Sequence, residues 1–312
     1  IVFAKEGYSV CVLEKNNQYG GNLQTFVRDK TIFDTGVHYI GGLSEGQNLY
    51  QYFNYLGIMD DIELKKLDED GFDIISFDGD PKEYKHAQGY DNFIAQLTAL
   101  FPNEKAAIKT YCSKLREVCH KFPLYNLEEG KPYGNDAEIF QQSAKDYIAS
   151  ITNNEKLRAV LAGSNLLYAG EPDKTPLYVH ALSINSYIES AYRCADGGSQ
   201  ITKLLIRRLK EHGGDAYKHC EVTDITCENK QITSVTCKNG ETVTGDIFIS
   251  NIEPKHTLKM IGEEHFRKSY SYRIQEMEST ISAFSVHIFL KTRTIKYLNI
   301  IPLWTIFCTH QI

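Results

Sequence analysis

The run Tyr8-Ser-Val-Cys-Val-Leu-Glu14-Lys15-Asn-Asn-Gln-Tyr-Gly20-Gly21-Asn22-Leu-Gln-Thr25 decides the fold. Its first part is almost continuously apolar and closes on an acid. Continuous rather than alternating apolarity predicts a parallel strand covered on both faces. Just upstream, Ile1-Val-Phe-Ala-Lys-Glu-Gly7 reads as the last turns of a helix with Gly7 as its stop. Helix end, glycine, buried strand and terminal acid together make the second half of a βαβ unit. An acid at the end of that strand can accept hydrogen bonds from both ribose hydroxyls of an adenosine; alone, it is more often a solvated charge closing a strand. Gly20 and Gly21, six and seven residues after Glu14, narrow the choice. They let a backbone approach a pyrophosphate or a planar ring without a Cβ clash.

Outward from this run, a short strand is expected near Thr25–Arg28, followed by Ile32-Phe-Asp-Thr-Gly-Val-His38-Tyr-Ile-Gly-Gly42. From about Gly46 to Tyr192 the pattern is mostly helical, with strand-like islands at Phe72–Phe77 and around Lys82–His86. Pro123, Pro132, Pro172 and Pro176 punctuate those helices. Alternation returns at Cys194. Ser199 is placed to cap a helix over Gln200–His212, in which Ile201, Leu204, Leu205 and Leu209 share a face and Gly213-Gly214 is the stop. Strands are expected at Ala216–Thr226, Gln231–Cys237 and Glu241–Thr244, with Asn239-Gly240 as a type I′ turn that needs positive φ at both central residues. Asp246–Asn251 reads as a further buried strand.

The 312 residues exceed one typical domain. A formal net charge of -6 and the lack of a Lys/Arg stripe exclude a nucleic-acid partner. None of the 8 cysteines forms a CxxC pair, so no metal site is expected, and free thiols of a reducing compartment are. Cys11 is expected to be a small core residue. From Tyr297 to Ile312 there is no charged residue and Pro302 interrupts the run, which reads as a buried strand pair or as an out-of-frame end.

The spacing Glu14-(five residues)-Gly20-Gly21-(three residues)-Thr25 is the ExxxxxGGxxxT pattern of many two-dinucleotide-binding-domain flavoproteins. The segment Phe33-Asp34-Thr-Gly36-Val-His38-Tyr39-Ile-Gly41 resembles the corresponding stretch of retinol saturases, phytoene desaturases and carotenoid isomerases. Ala195-Asp-Gly197-Gly198-Ser199, Gly213-Gly214, Glu221-Val222-Thr-Asp-Ile225, Asn239-Gly240-Glu241 and Ser250-Asn251 follow in that family's order, so the resemblance covers about residues 1–290. It implies an α/β, FAD/NAD(P)-binding Rossmann-like fold with an interleaved α+β substrate domain. The implied FAD-binding segments are 1–70 and 193–262, the mainly helical substrate domain is 71–192, and strands of that domain start in 263–312. FAD is the implied cofactor, NAD(P)H a candidate electron donor, and an apolar polyene or isoprenoid the implied substrate. For retinol saturase-like proteins the reaction is reduction of the 13,14 double bond of all-trans-retinol.

By the same resemblance Glu14, with Lys15 beside it, binds the adenosine ribose. Gly20, Gly21 and Asn22 face the pyrophosphate or flavin, Gly36 belongs to the cofactor-binding set, and Val222 offers its backbone to the adenine. His38 and Tyr39 lie near flavin and substrate as candidate catalytic residues; for His38 a satisfied core histidine is at least as good a reading. The ring carries the hydride chemistry, so no catalytic triad is expected. The family's GxGxxG loop is expected before Ile1 and its flavin-contacting glycine segment beyond the C-terminal residues. The chain thus reads as part of a longer frame, binding FAD weakly or not at all by itself. A cytoplasmic location with peripheral membrane contact is expected, because such substrates dissolve in bilayers. Two other readings stay open: an amine or protoporphyrinogen oxidase on the same scaffold, and a flavin-free binder of prenylated proteins like the GDP-dissociation inhibitors. Glu14 and Gly20-Gly21 argue against the last.

Overall fold

The structure is a computed structural model and describes residues 1–130, 140–280 and 287. A helical turn at Val2–Lys5 (α1) leads into strand Cys11–Leu13 (β1) and a 3-10 turn at Gly21–Leu23. Strands Thr25–Arg28 (β2), Thr31–Asp34 (β3) and Ile40–Gly41 (β4) precede helix Asn48–Tyr55 (α2). Strands Leu64–Lys66 (β5), Asp73–Ile75 (β6) and Tyr84–His86 (β7) come next. Helices Tyr90–Leu100 (α3), Lys105–His120 (α4), Ala144–Ile151 (α5), Glu155–Leu161 (α6) and Leu177–Glu189 (α7) follow. The chain continues with strand Ala191–Cys194 (β8), helix Ser199–Glu211 (α8), and strands Asp215–Tyr217 (β9), Val222–Glu228 (β10), Gln231–Cys237 (β11) and Thr242–Thr244 (β12). Helices Pro254–Ile261 (α9) and Lys268–Gln275 (α10) complete the described part.

These elements divide into two compact units, one built from Ile1–Gln24 with the segment that begins at Ser199, the other from Thr25–Gly198. In the first, β1 and β9 pair in parallel with Val12 opposite Ala216. Ala4 of α1, Leu209 of α8 and Ala216 bury one shared apolar cluster, against which Ile1, Val10, Tyr19 and Ile206 pack. Ile201, Leu204 and Leu209 of α8 are buried as the 3.6-residue period requires, and the helix ends at Gly213, whose φ is +79°. Strands β10, β11 and β12 form an antiparallel meander.

The second unit owns the large core. Helix α4 repeats buried residues at Ile108, Tyr111, Cys112, Leu115, Val118 and Cys119, an i, i+3/i+4 stripe. That stripe packs with Phe93 and Leu97 of α3, Leu157 and Leu161 of α6, and Ile184 and Ile188 of α7. Hairpins β2–β3 and β6–β7 and the sheet β4-β8-β5 complete the unit. Strand β5 and the pairing of β8 between β4 and β5 were not expected, because three-residue strands carry no readable alternation.

Several expectations are corrected. Strand β1 is not covered on both faces: Cys11 and Val12 are exposed, and among the described residues β1 pairs with β9 alone. Cys11 is therefore not a core residue. The strand expected over Ala216–Thr226 breaks in two, because His219 takes φ +57° and turns the chain from β9 into β10. Asn239-Gly240 is not a type I′ turn. Only Gly240 has positive φ, and its N–H donates to the Cys237 carbonyl at 2.8 Å. Among the described residues, two-residue hairpin links with positive φ at both centres are Asp29-Lys30, between β2 and β3, and Asn229-Lys230, between β10 and β11. Asp246–Asn251 forms no strand and exposes Ile247 and Ile249. Residues 263–275, expected to begin strands, hold a 3-10 turn and α10. Ser199 is the first helical residue rather than the cap. Pro132 and the run from Tyr297 to Ile312 lie outside the described residues.

Candidate functional site

In the first unit, the end of β1 is tied to the link between β9 and β10. The Glu14 N–H donates to the Tyr217 carbonyl at 2.8 Å, and the Cys220 N–H donates to the Glu14 carbonyl at 2.9 Å. Two residues on, half-buried Val222 opens β10. These backbone bonds place Glu14 and Val222 in one neighbourhood, as a strand end and an adjoining strand start. The Glu14 carboxylate is half-buried and takes the Asn16 N–H on Oε1 at 2.8 Å, which fixes its direction. Lys15 and Asn22 are exposed.

The turn beyond Glu14 is anchored by Tyr19. Its hydroxyl donates to the Ala216 carbonyl at 2.8 Å, and Lys218 Nζ sits 4.9 Å from its ring centroid. Gly20 then takes φ +107° and Gly21 φ +52°, conformations that side chains resist. The two glycines face different surroundings. A Cβ on Gly20 would collide with the Thr202 side chain in the first turn of α8, whereas a Cβ on Gly21 would meet nothing within 4 Å. Thr202 Oγ1 is buried and has no hydrogen-bond partner. A buried hydroxyl of this kind signals a missing polar partner. An orphan hydroxyl against Gly20, next to the open, left-handed Gly21, fits a polar ligand lying along the Gly20–Gly21 backbone, so the residues present fit a dinucleotide cofactor.

In the second unit, Asp34 at the end of β3 is 5% exposed and organises its surroundings. Its Oδ1 accepts the Gly198 N–H at 2.7 Å, and the Arg193 guanidinium lies 3.6 Å from Oδ2. Gly36 is exposed in the bend after β3. His38 is half-buried. Burial pushes its imidazole below the ordinary histidine value, and the Asp34 carboxylate opposes the shift, so the ring is neutral at pH 7. Tyr39 is buried, edge-on to Tyr187 at 5.1 Å, in a cluster with Leu67, Phe72 and Ala191. Burial first, then the charge of the nearby Asp73 carboxylate of β6, drives its pKa far above the usual phenol range.

Glu14, Lys15, Gly20, Gly21, Asn22 and Val222 thus belong to the first unit, and Gly36, His38 and Tyr39 to the second. Sequence reasoning missed Thr202 and Asp73. Thr202 sits on the buried face of α8, where an apolar residue is the usual choice, and that irregularity was its one available signal. Asp73 lies inside an apolar strand-like island, a signal of the same kind.

The model of the family described as flavin containing amine oxidoreductase matches residues 3–294. The all-trans-retinol 13,14-reductase of Rattus norvegicus is 27% identical over 317 residues, covering 93% of this chain and 51% of that protein. The chloroplastic prolycopene isomerase of Daucus carota is 25% identical, covering 86% of this chain and 47% of that protein. The chain thus spans about half the length of these curated relatives. Among solved structures, a Pyrococcus furiosus protein aligns with TM-score 0.64 at 20% identity, over 89% of this chain and 62% of the other.

Proposed function

The chain belongs to the flavin-containing amine oxidoreductase family and has an α/β flavoprotein fold; from that premise we propose that it is part of an FAD-dependent oxidoreductase acting on carbon–carbon double bonds of an apolar polyene or isoprenoid. The Gly20–Gly21 turn beside the orphaned Thr202 hydroxyl, close in sequence to the strand-end acid Glu14, carries the cofactor half of this proposal. The substrate class rests on the retinol reductase and prolycopene isomerase relatives.

Each residue has a task that its environment suits. Glu14, directed by the Asn16 N–H, accepts the adenosine ribose hydroxyls. Gly20 and Gly21 present bare backbone to the cofactor, Asn22 follows them, and the Val222 backbone meets the adenine. Neutral His38 and protonated Tyr39 belong to the substrate side. When bound, FAD supplies hydride transfer, with NAD(P)H as the proposed electron donor. Residues 1–70 and 193–262 are the proposed FAD-binding segments, and the apolar core within 71–192 the proposed substrate domain. No helix among the described residues is long and apolar enough to cross a membrane. Peripheral membrane contact is proposed because polyene substrates dissolve in bilayers.

The test is direct. The protein is loaded with FAD and its visible spectrum recorded; then it is reduced anaerobically and mixed with all-trans-retinol or a C40 polyene. A product carrying two more hydrogens, formed as the flavin reoxidises, supports the proposal. A fully flavin-loaded protein that leaves every polyene unchanged refutes it.

A further inference from the structure

In the first unit a lysine is held against the residue that leads into the Gly20–Gly21 turn, and it is held from two sides. Lys218 lies in the link between β9 and β10, which His219 turns at φ +57°. Backbone bonds pin that link to the segment after β1. The His219 N–H donates to the Asn16 carbonyl at 3.2 Å, and the Cys220 N–H donates to the Glu14 carbonyl at 2.9 Å. The Lys218 side chain lies on the Tyr19 ring, with Nζ 4.9 Å from its centroid. That ring is itself fixed. Its hydroxyl donates to the Ala216 carbonyl at 2.8 Å, and the residue packs against the cluster of Ala4, Leu209 and Ala216. Tyr19 directly precedes Gly20.

Lys218 is exposed, and among the described residues no carboxylate pairs with it. A ring face attracts an ammonium without using its donors, so they stay available to a ligand. The charge balance of the site calls for such a group. A ligand whose ribose meets Glu14 and whose diphosphate follows Gly20 and Gly21 brings negative charge toward a carboxylate, and like charges repel. Bare glycine N–H groups supply partial charges only. A lysine ammonium supplies a whole one, and its bonds to phosphate oxygens are of the strong, charge-assisted kind.

We propose that Lys218 binds the diphosphate of the cofactor's adenosine diphosphate half, with Tyr19 as the positioning residue that holds its ammonium beside the Gly20–Gly21 turn. The inference rests on the cofactor reading above and adds to it the cation that offsets Glu14. The ligand chemistry is adenosine 5′-diphosphate, which occurs both within FAD and as free ADP.

Calorimetric titration of the purified protein with adenosine, ADP and FAD tests this. Wild type is expected to bind ADP about tenfold or more tighter than adenosine, because adenosine lacks the charge-assisted bonds. Added salt should shrink that ratio, since Lys218 is exposed and therefore screened. Lys218→Gln should abolish most of the ratio and its salt dependence. Tyr19→Leu removes the ring from under Lys218 and should lower the ratio by about two- to fivefold. Tyr19→Phe keeps the ring and should restore most of it. A Tyr19 that is only structural would weaken adenosine and ADP alike and leave the ratio unchanged in Tyr19→Leu, which overturns its positioning role. A ratio that survives Lys218→Gln overturns the inference while the cofactor reading stands, and so does a wild-type protein that binds adenosine and ADP equally. The predicted ratio without any FAD binding supports the Lys218 site as one for free ADP and refutes the flavin reading. A wild-type protein that binds none of the three refutes both.

Discussion

Gly20→Ala probes how the turn after Glu14 is held. Gly20 sits at φ +107°, where a residue with a Cβ is strained by about 1–3 kcal/mol. The new Cβ would also lie 3.0 Å from Thr202 Cγ2 and 3.1 Å from Thr202 Cβ, and would overlap Oγ1. Threonine is β-branched and buried here, so it cannot swing aside freely. Overpacking of this kind costs about 1–3 kcal/mol, and alanine's stiffer unfolded chain returns about 0.4–1 kcal/mol. The net expectation is a loss of about 3 kcal/mol. Thr202→Ala alone should be nearly neutral, because the lost methyl, about 0.8 kcal/mol, is offset by removal of an unpartnered buried hydroxyl. In that background Gly20→Ala keeps only the backbone strain, so the pair should couple by about 1–2 kcal/mol. Urea unfolding of the four flavin-free proteins, followed by circular dichroism, measures the cycle. Additive losses would refute the Gly20–Thr202 contact and with it the cradle.

Gly21→Ala, with φ +52° and open space at its Cβ, should cost only about 1 kcal/mol of stability while weakening FAD binding, as read by flavin titration. Glu14→Gln should leave urea stability within about 0.5 kcal/mol and raise the FAD Kd about tenfold or more, since charge-assisted bonds to the ribose are lost. His180, held between Tyr111 at 2.6 Å and Tyr168 at 2.7 Å, has its pKa pushed down to about 4 by burial. The unfolded chain therefore binds the extra proton first, and stability is full above about pH 6.5 and falls as the pH drops toward 4, by up to about 3 kcal/mol. Urea midpoints at pH 7 and pH 4.5 should show a smaller drop in His180→Gln than in wild type. Lys230→Gly should stabilise the protein by about 0.5–1 kcal/mol, because Lys230 occupies φ +66° where a type I′ turn prefers glycine; an unchanged or lower urea midpoint would contradict that.

What the sequence made legible was what neighbouring residues decide among themselves. The α1 stop at Gly7, the α8 face of Ile201, Leu204 and Leu209, strand β11 and the left-handed Gly20–Gly21 turn all follow from local spacing. The misread pieces depend on distant partners. Asp246–Asn251 has a strand's composition but no hydrogen-bonded neighbour among the described residues, and β1 has one such neighbour rather than two. Turn type was misread for a related reason. Asn239-Gly240 carries the preferred dipeptide, yet the bond from Gly240 to Cys237 and the pairing of Cys237 with Glu241 leave Asn239 outside the left-handed region. At Asn229-Lys230 the two-residue link between paired Glu228 and Gln231 imposes positive φ on a lysine that does not favour it.

The same division separates the cofactor residues from the polar network of the second unit. An acid, two glycines and a threonine within twelve residues can be recognised as a pattern because one short loop sets their geometry. Asp73, His86 and Ser164 come from separate elements, and Ser164 is 91 residues from Asp73. Each alone resembles an ordinary core residue. Burial distinguishes two of them: the Ser164 hydroxyl and the His86 imidazole, out of water's reach, satisfy each other, the Val160 carbonyl and the half-buried Asp73 carboxylate. Replacing Ser164 by alanine leaves His86 Nδ1 and Asp73 Oδ2 without that partner, so the variant should lose about 1–3 kcal/mol of stability by urea unfolding. An unchanged urea midpoint would refute this account of the network.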